Sequence, residues 1–494
     1  MTAASEEEPV WVGLDLGTQS VRALAVSASG QVVGSGSRPL RSRRDGTRHE
    51  QDPEQWWEAL GAASRAALGE LAPERVRGVA TDGTSGTVLL VDRAGAHITP
   101  ALMYDDSRAS DQARRVNEGG RTVWSSLGYR MQARWALPKV LWMLEQWPEL
   151  ARGARLAHQP DYINRRLCGH EVPADTSHAL KTGYDLIHEG WPCEVLERLG
   201  VPEGLLPSVV RSGSTLGEVC AEAARQTGIA VGTPVIAGMT DGCAAQLATG
   251  ALCEGQWSSV LGTTLVLKGV SPELIRDPNG VLYSHRAPDG GWLPGGASST
   301  GAAVLSTSFP ERDLDELGRR AADYEHTGVL AYPLLGRGER FPFAAADAEG
   351  FLLGEPADEA EHFAALLQGV AYVERLSFDY LHLLGAPIHG ELTLTGGGTR
   401  SRYWCQLRAD VLGRPVRLLE NSESALGMAV LAASAGRSTA QVAAEMVRLR
   451  EVIEPRPDRV ERFHEPYLRL VGELADRGWL DPSVASHARA RAGA

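Results

Sequence analysis

Residues Ala237–Gly242 read Ala-Gly-Met-Thr-Asp-Gly. The run before them, Thr233–Ala237 (TPVIA), predicts a strand that ends in small residues and leaves one carboxylate, Asp241, standing on the turn. An Asp beside Gly serves most often only as a turn former. Position gives this one more weight. It lies almost at the midpoint of 494 residues, where one half ends and a second half with a similar opening begins. An acid at the junction of two lobes is well placed to face a closing cleft, which makes Asp241 the candidate catalytic base.

The two openings support that division. Val10–Leu16 (VWVGLDL) predicts a strand running into Gly17-Thr18, Val21–Val26 returns as a second strand, and Gln31–Gly34 begins a third. Downstream, Gln256–Val260, the turn Leu261–Thr264 and Leu265–Gly269 predict another hairpin. Leu16-Gly17-Thr18 and Leu261-Gly262-Thr263 share the tip Leu-Gly-Thr. One repeat over half a chain is a duplicated domain plan, not a short-period solenoid. Turn amides and the hydroxyls of Thr18 and Ser20 can hold phosphate oxygens, and Asp15 can reach a Mg²⁺ through water. The plain alternative for the first tip, Asp15 to Ser20 with Gln19 between, is a hairpin with a polar end.

Between the hairpins, Asp52 and Pro53 are an N-cap and first helical position for a helix over Glu54–Leu71. Strand Val76–Thr81 runs into the small polar cluster Asp82–Gly86, and Leu102-Met103-Tyr104 runs into Asp105–Arg108. Thr84, Ser85, Tyr104 and Asp106 are the candidate readers of sugar hydroxyls in these clusters, with caps and turns as the equal alternative. Arg134–Glu145 predicts a helix with Lys139 in its first turn, Pro160–Cys168 a helix closed by Gly169, and Ala174–Asp185 a loop or small insertion over the first lobe. Later, Phe363–Leu384 has the spacing of a long amphipathic helix. Strand Leu392–Thr395 enters Gly396-Gly397-Gly398, followed by a helix from Ser401. A strand, three glycines and a helix start suit close backbone approach to a nucleotide. Trp404 lies against an adenine in that reading and is a core aromatic in the plain one. Val416–Leu418 reads as an edge strand. Residues 1–9 read as a disordered lead and 483–494 as a frayed tail.

A net charge of −13 argues against a sequence-independent grip on nucleic-acid phosphates. Six scattered cysteines without a Cys-x-x-Cys pair point to reduced thiols, and Cys243 to packing. The acidic N-terminus has the wrong chemistry for a signal peptide, and no run approaches the roughly 20 apolar residues that span a bilayer. A cytoplasmic chain with no membrane partner is expected. Gly-x4-Gly-Lys-Ser/Thr, Gly-x-Gly-x-x-Gly after a strand, His-Glu-x-x-His and Gly-x-Ser-x-Gly are all missing, so any ATP is held by hairpin tips and the late glycine loop.

Gly13–Val21 (GLDLGTQSV), His49–Trp57 (HEQDPEQWW), Leu137–Glu145 (LPKVLWMLE), Met239–Cys243 and Thr395–Val416 (TGGGTRSRYWCQLRADVLGRPV) occur in the order in which they resemble the FGGY carbohydrate kinases, of the actin/hexokinase/heat-shock ATPase superfamily. The resemblance implies an α/β fold of two ribonuclease-H-like, actin-like ATPase lobes with a cleft between them, divided as 10–245 and 246–482. It also implies ATP with Mg²⁺ as phosphoryl donor. By the same likeness Asp15, Gly17, Thr18 and Gln19 fall on the first phosphate and metal turn. Gly262, Thr263 and Thr264 fall on the second phosphate hairpin. Gly397, Gly398, Ser401 and Trp404 fall on the adenosine loop. Asp241 falls on the catalytic base, beside sugar and metal.

Xylulose and gluconate kinases of the family carry a Met-His-Gly stretch where this chain has Thr84-Ser85-Gly86. Leu102–Asp106, Leu261–Lys268, Tyr283–Arg286 and Tyr332–Phe343 instead look like the D-ribulose kinases of plants and cyanobacteria. A ketopentose, D-ribulose first, is the expected acceptor, with xylulose, L-ribulose or another polyol as alternatives. An actin- or chaperone-like ATPase switch is the rival from another class. A second copy of the chain, as a homodimer, is the protein partner left open.

Overall fold

The computed structural model describes residues 8–325 and 327–492, so most of the expected disordered lead lies outside the described residues. Its last two residues do not fit that reading. Glu8 accepts the Ser29 N–H at 2.8 Å, and its carbonyl accepts Arg75 Nε at 3.0 Å.

The chain divides into two units. The first takes the chain up to Gly250 together with His285–Gly291 and Asn421–Arg448; the second takes Ala251–Ser284, Trp292–Glu420 and the chain from Leu449. The expected single boundary at 245/246 is therefore corrected: two later segments return to the first unit. The helix Ser424–Ala433 (SALGMAVLAA) shows why. Its small residues let backbones meet, and an added Cβ on Gly13 would lie 1.7 Å from the Ala425 carbonyl oxygen. The helix thus seals one face of the first sheet, and Ala425, Met428, Ala429 and Val430 are wholly buried there.

The first unit's six-stranded sheet runs Thr215–Glu218, Pro234–Ile236, Val76–Gly83, Val10–Leu16, Ser20–Ser27, Val32–Pro39. Val10–Leu16, Val76–Gly83 and Pro234–Ile236 are parallel neighbours, and the flanking pairings are antiparallel. The parallel strands are near-continuous apolar runs because both faces are covered. One cover is the helix Pro53–Leu68, begun by Asp52, whose carboxylate accepts the Glu54 N–H at 3.0 Å. Trp56, Trp57, Leu60 and Leu68 share its buried side.

The second unit repeats the plan. Its central strands run Trp292–Ala297, Leu265–Gly269, Trp257–Leu261, Leu392–Thr395, Val416–Leu419, Leu449–Ile453. Again three antiparallel strands are followed by two parallel ones and an antiparallel last strand. Each unit is ribonuclease-H-like in this sense. The helix Glu359–Leu383 crosses the core, opened by Asp358, which accepts the N–H groups of Ala360 and Glu361. Burying each large apolar side chain on it contributes about 1.5–3 kcal/mol. Inside, Arg408 forms two 2.7 Å bonds to the Glu374 carboxylate and one to Ser259 Oγ, all with no exposed side chain.

Three other expectations are corrected. Val416–Leu419 is not an edge, since Leu449–Ile453 pairs beyond it. The tail is not frayed: Pro482–Ala492 is a helix whose Val484, Ala485 and Ala488 join the core, and only 493–494 lie outside the described residues. The polar stretch 174–185 is not an open loop but a strand, a helical turn and a 3₁₀ turn, nearly all buried. Among the described residues no helix is long and apolar enough to cross a membrane.

Candidate functional site

Three acids stand at the carboxyl ends of the first unit's three parallel strands. Asp15 lies near the end of Val10–Leu16 and pairs in register with Asp82 on Val76–Gly83. Asp241 follows the third strand, as the first residue of the helix Asp241–Leu247. A bridge between Gly83 and Thr240 holds that turn against the middle strand. Carboxyl ends of parallel strands are where open α/β sheets gather their chemistry, because the turns there are free to vary.

Burial decides how the acids differ. Asp82 is fully buried, and neither of its oxygens has a partner at good hydrogen-bond geometry among the described residues, the Leu16 main chain and Asp15 being its polar neighbours. Burial, then the charges of Asp15 and Asp241, push its carboxyl well above the usual range. Asp15 is pushed up to about 6, first by burial and then by Asp241 and Glu423, against the lowering effects of a bond with Asp82 and the Arg22 charge. Asp241 is partly exposed. One of its oxygens accepts the Gly242 N–H at 2.8 Å, and the other carries no hydrogen bond among the described residues.

Neighbouring carboxylates with spare oxygen lone pairs suit a hard cation, which takes oxygen ligands. Asp15 and Asp241 are the members solvent reaches, so these two fit a Mg²⁺. Asp82 is fully buried, which sets it apart from these two. Among the described residues no group of three or more His, Cys, Asp and Glu side chains forms a ready-made metal cage.

The rest of the first hairpin tip is built to hold its shape. The Gly17 N–H reaches the Ser20 carbonyl at 3.1 Å, and the Gln19 carbonyl accepts the Leu40 N–H at 2.8 Å. The Thr18 carbonyl accepts Gln51 Nε2 at 2.7 Å. Gln19 is exposed, and Thr18 is partly so. Tyr104 is 42% exposed, and burial, Asp105 and Asp241 raise its phenol against a hydrogen bond with Thr18, so it belongs to this neighbourhood.

Two candidate sugar readers have their polar atoms engaged within the protein. Asp106 is fully buried and spent on the His49 N–H (2.7 Å) and the Arg108 main chain and guanidinium. Thr84 is 2% exposed, with its N–H and hydroxyl both given to Gln159 Oε1 at 2.8 Å. These residues shape the turn from behind. Ser85 differs: its hydroxyl is buried without a partner, and so is Nε2 of Gln159 beside it.

In the second unit, Gly262–Thr264 turn between Trp257–Leu261 and Leu265–Gly269, closed by Gly262 N–H to Thr264 O at 3.1 Å. Thr263 is exposed. A Cβ added at Gly262 or Gly397 would meet nothing within 4 Å, so the protein's own packing does not demand glycine there. Open space over glycine is a cradle for a ligand that approaches the backbone closely. Gly398, in contrast, is pressed against Leu261. A cavity of about 650 Å³ opens beside the glycine loop, lined by Leu305, Leu314, Phe363, Gly397, Gly398 and Tyr403 among others. Ser401 caps the helix Arg402–Leu412 through the Trp404 N–H at 3.2 Å. Trp404 reaches the cavity wall yet is 3% exposed, its indole N–H given to the Leu367 carbonyl, so it is a core aromatic and no open stacking face. A larger cavity of about 960 Å³ lies at the other end of the same strands, around His389, Arg414 and Arg417. Its arginines are balanced by Glu391 and Asp379 or spent on carbonyls.

Sequence reasoning had not chosen Asp82, Gln159 or His178 as site residues. Asp82 had a signal: it follows a strand of the same length and character as the one ending at Asp15. Gln159 and His178 had none, because their partners come from distant segments.

Comparison with known proteins places the chain in a family. Residues 10–248 match the N-terminal domain of the FGGY family of carbohydrate kinases, and 257–436 match its C-terminal domain. A xylulose kinase of Streptomyces coelicolor is 34% identical over 96% of this chain and 98% of its own. One from Streptomyces rubiginosus is 33% identical over 96% and 98%. The crystal structure of a xylulose kinase from Rhodospirillum rubrum superposes with a TM-score of 0.85 at 28% identity, covering 94% of this chain and 98% of that one. With both domains matched over most of its length, the chain belongs to the FGGY family of carbohydrate kinases and is an ATP-dependent carbohydrate kinase.

Proposed function

We propose that the protein transfers the γ-phosphoryl group of ATP to a terminal hydroxyl of a ketopentose, with Asp241 as general base. The observation that carries this reading is the set Asp15, Asp82 and Asp241 at three adjacent strand ends, with Asp241 offering a partly exposed carboxylate that has a free oxygen. A carboxylate of this kind takes the hydroxyl proton as the new O–P bond forms and the bond from phosphorus to the ADP oxygen breaks. Gly262–Thr264 and the Gly397–Gly398 loop hold the nucleotide in this reading, and the hairpin tip at Gly17, Thr18 and Gln19 offers amides and hydroxyls to phosphate. A Mg²⁺ held by Asp15 and Asp241 would neutralise phosphate charge. Ser85 Oγ and Gln159 Nε2, each buried without a partner, are the groups a sugar hydroxyl would satisfy.

D-xylulose is the first candidate acceptor. The relatives named above, similar over nearly the full chain, are xylulose kinases, and this displaces the D-ribulose expected from local stretches. D-ribulose stays the second reading on one observation: Thr84-Ser85 stand where the family's Met-His contacts are usual. ADP release with D-xylulose, D-ribulose, L-ribulose and glycerol tests both. Highest kcat/KM for D-xylulose supports the first reading, and highest for D-ribulose the second. ATP turnover that no sugar accelerates would sink the kinase assignment.

A further inference from the structure

The buried helical turn Thr176–Ala179 grips both turns of the candidate site with consecutive residues. Ser177 Oγ accepts the Thr240 N–H at 3.1 Å, beside Asp241. His178 Nε2 lies 3.2 Å from the Gly83 carbonyl, and its Nδ1 lies 2.8 Å from Asp175 Oδ2. A carbonyl and an ionised carboxylate only accept. With acceptors on both sides, the ring satisfies both contacts only when both nitrogens carry protons, as an imidazolium. Asp175 also accepts the His178 N–H at 2.9 Å, which orients the pair.

The surroundings agree. His178 and Asp175 are nearly or wholly buried, and an unpaired charge there would be costly. The other ionisable groups around His178 are Asp161, and the His158 ring at 5.9 Å, which is itself tied to Asp161 and Thr182. On the strand side stands Asp82, next to Gly83. Lys181 donates to the Ser85 carbonyl at 3.1 Å, and His285 meets Ser177. Asp175 and Asp161 hold the His178 imidazole above its ordinary value once the opposing effect of burial is overcome.

We propose that His178, kept as an imidazolium by Asp175, is a positioning residue that fixes the Gly83 carbonyl and thereby aims Ser85 at the sugar. Gln159, His178 and Lys181 between them hold the main chain of Gly83, Thr84 and Ser85, so this turn takes its shape from the segment 159–181 rather than from its own residues. The inference rests on the reading of that turn as sugar-facing.

Sugar and ATP KM are measured for His178→Leu, His178→Gln and Ser85→Ala, with D-xylulose and D-ribulose as acceptors. Loss of a charged hydrogen bond predicts a sugar KM raised by roughly tenfold or more in His178→Leu, with ATP KM nearly unchanged. His178→Gln, which keeps a donor for Gly83, is expected to recover part of the loss. Equal rises in both KM values, or an unchanged sugar KM, overturn the proposal. If His178→Leu does not fold, ¹⁵N NMR of the histidine rings in the unaltered protein decides: two protonated nitrogens on His178 at neutral pH support it, and a neutral ring overturns it. Ser85→Ala separates the two levels. An unchanged sugar KM there removes the sugar-facing reading and the inference with it. A raised one beside an unaffected His178→Leu removes the inference alone.

Discussion

Asp15 and Asp82 are register partners on parallel neighbouring strands, so their carboxyl groups rise from the same face of the sheet. Burial disfavours the charged form of a carboxyl group. The carboxyl group of Asp15 is pushed up to about 6 from 3.8 as a result of burial and its neighbours.

The cost of burying Asp15 is measurable. With the folded value raised, the folded protein binds a proton that the unfolded chain releases between about pH 4 and 6, so stability falls as pH rises through that window. At about pH 7.5 the whole penalty is present, roughly 2–3 kcal/mol at 1.36 kcal/mol per unit. Asp15→Asn is therefore expected to unfold at higher urea than the unaltered protein at neutral pH, without ATP or Mg²⁺, with the gap closing toward about pH 4. Equal midpoints at neutral pH would show that the Asp15 carboxylate is solvated well enough to carry no such penalty. The same variant should lose most of its sugar-dependent ADP release.

Asp241→Asn should keep the fold and ATP binding and lose turnover by about 10²–10⁴-fold, the usual scale for a removed general base. Steady-state ADP release with saturating sugar measures it, and near-normal turnover ends the assignment.

Lys139 is wholly buried, with one hydrogen bond, 2.7 Å to the Met103 carbonyl just before Tyr104. Burial first, partly offset by Asp106, pushes its amine down to about 7. The unfolded chain keeps this proton up to about 10.5, so between about pH 7 and 10.5 stability rises with pH, and below about 7 the full penalty is present. Lys139→Met should remove up to one proton's worth of that slope, ~1.4 kcal/mol per pH unit, in urea unfolding followed from about pH 7 to 9.5. A parallel pH dependence in both proteins would place the ammonium in a better-solvated state.

Gly262→Ala and Gly397→Ala place a methyl group in open space and should leave thermal stability within about 0.5 kcal/mol while raising ATP KM. Gly396→Ala is the contrast. Its φ of 84° and a Cβ 2.6 Å from the Leu261 carbonyl oxygen predict a loss of about 1–3 kcal/mol in thermal unfolding.

Local signals reached far in this chain. Both hairpins, the helix begun by Asp52 and Pro53, the Gly169 stop and the glycine loop were legible because each depends on residues within one turn of one another. The tail helix was missed because its apolar contacts are small alanines whose burial comes from helices elsewhere in the second unit. Val416–Leu419 was misjudged as an edge for the same kind of reason: its outer neighbour arrives some thirty residues later.

Amino-acid order alone settled the repeated domain plan, the placing of Asp15 and Asp241 at strand ends, and the glycine turn after Leu392–Thr395, since hydrophobic period and turn chemistry are written over a few residues. Only the folded arrangement decided which polar groups remain free to act. Asp106 and Thr84 have the same chemistry as Asp241 and Ser85, but Arg108, His49 and Gln159 consume the first two and leave the second pair with spare hydrogen-bonding capacity. Hydrogen bonds act over about 3 Å, and the segments that come within that range are chosen by packing between distant parts of the chain.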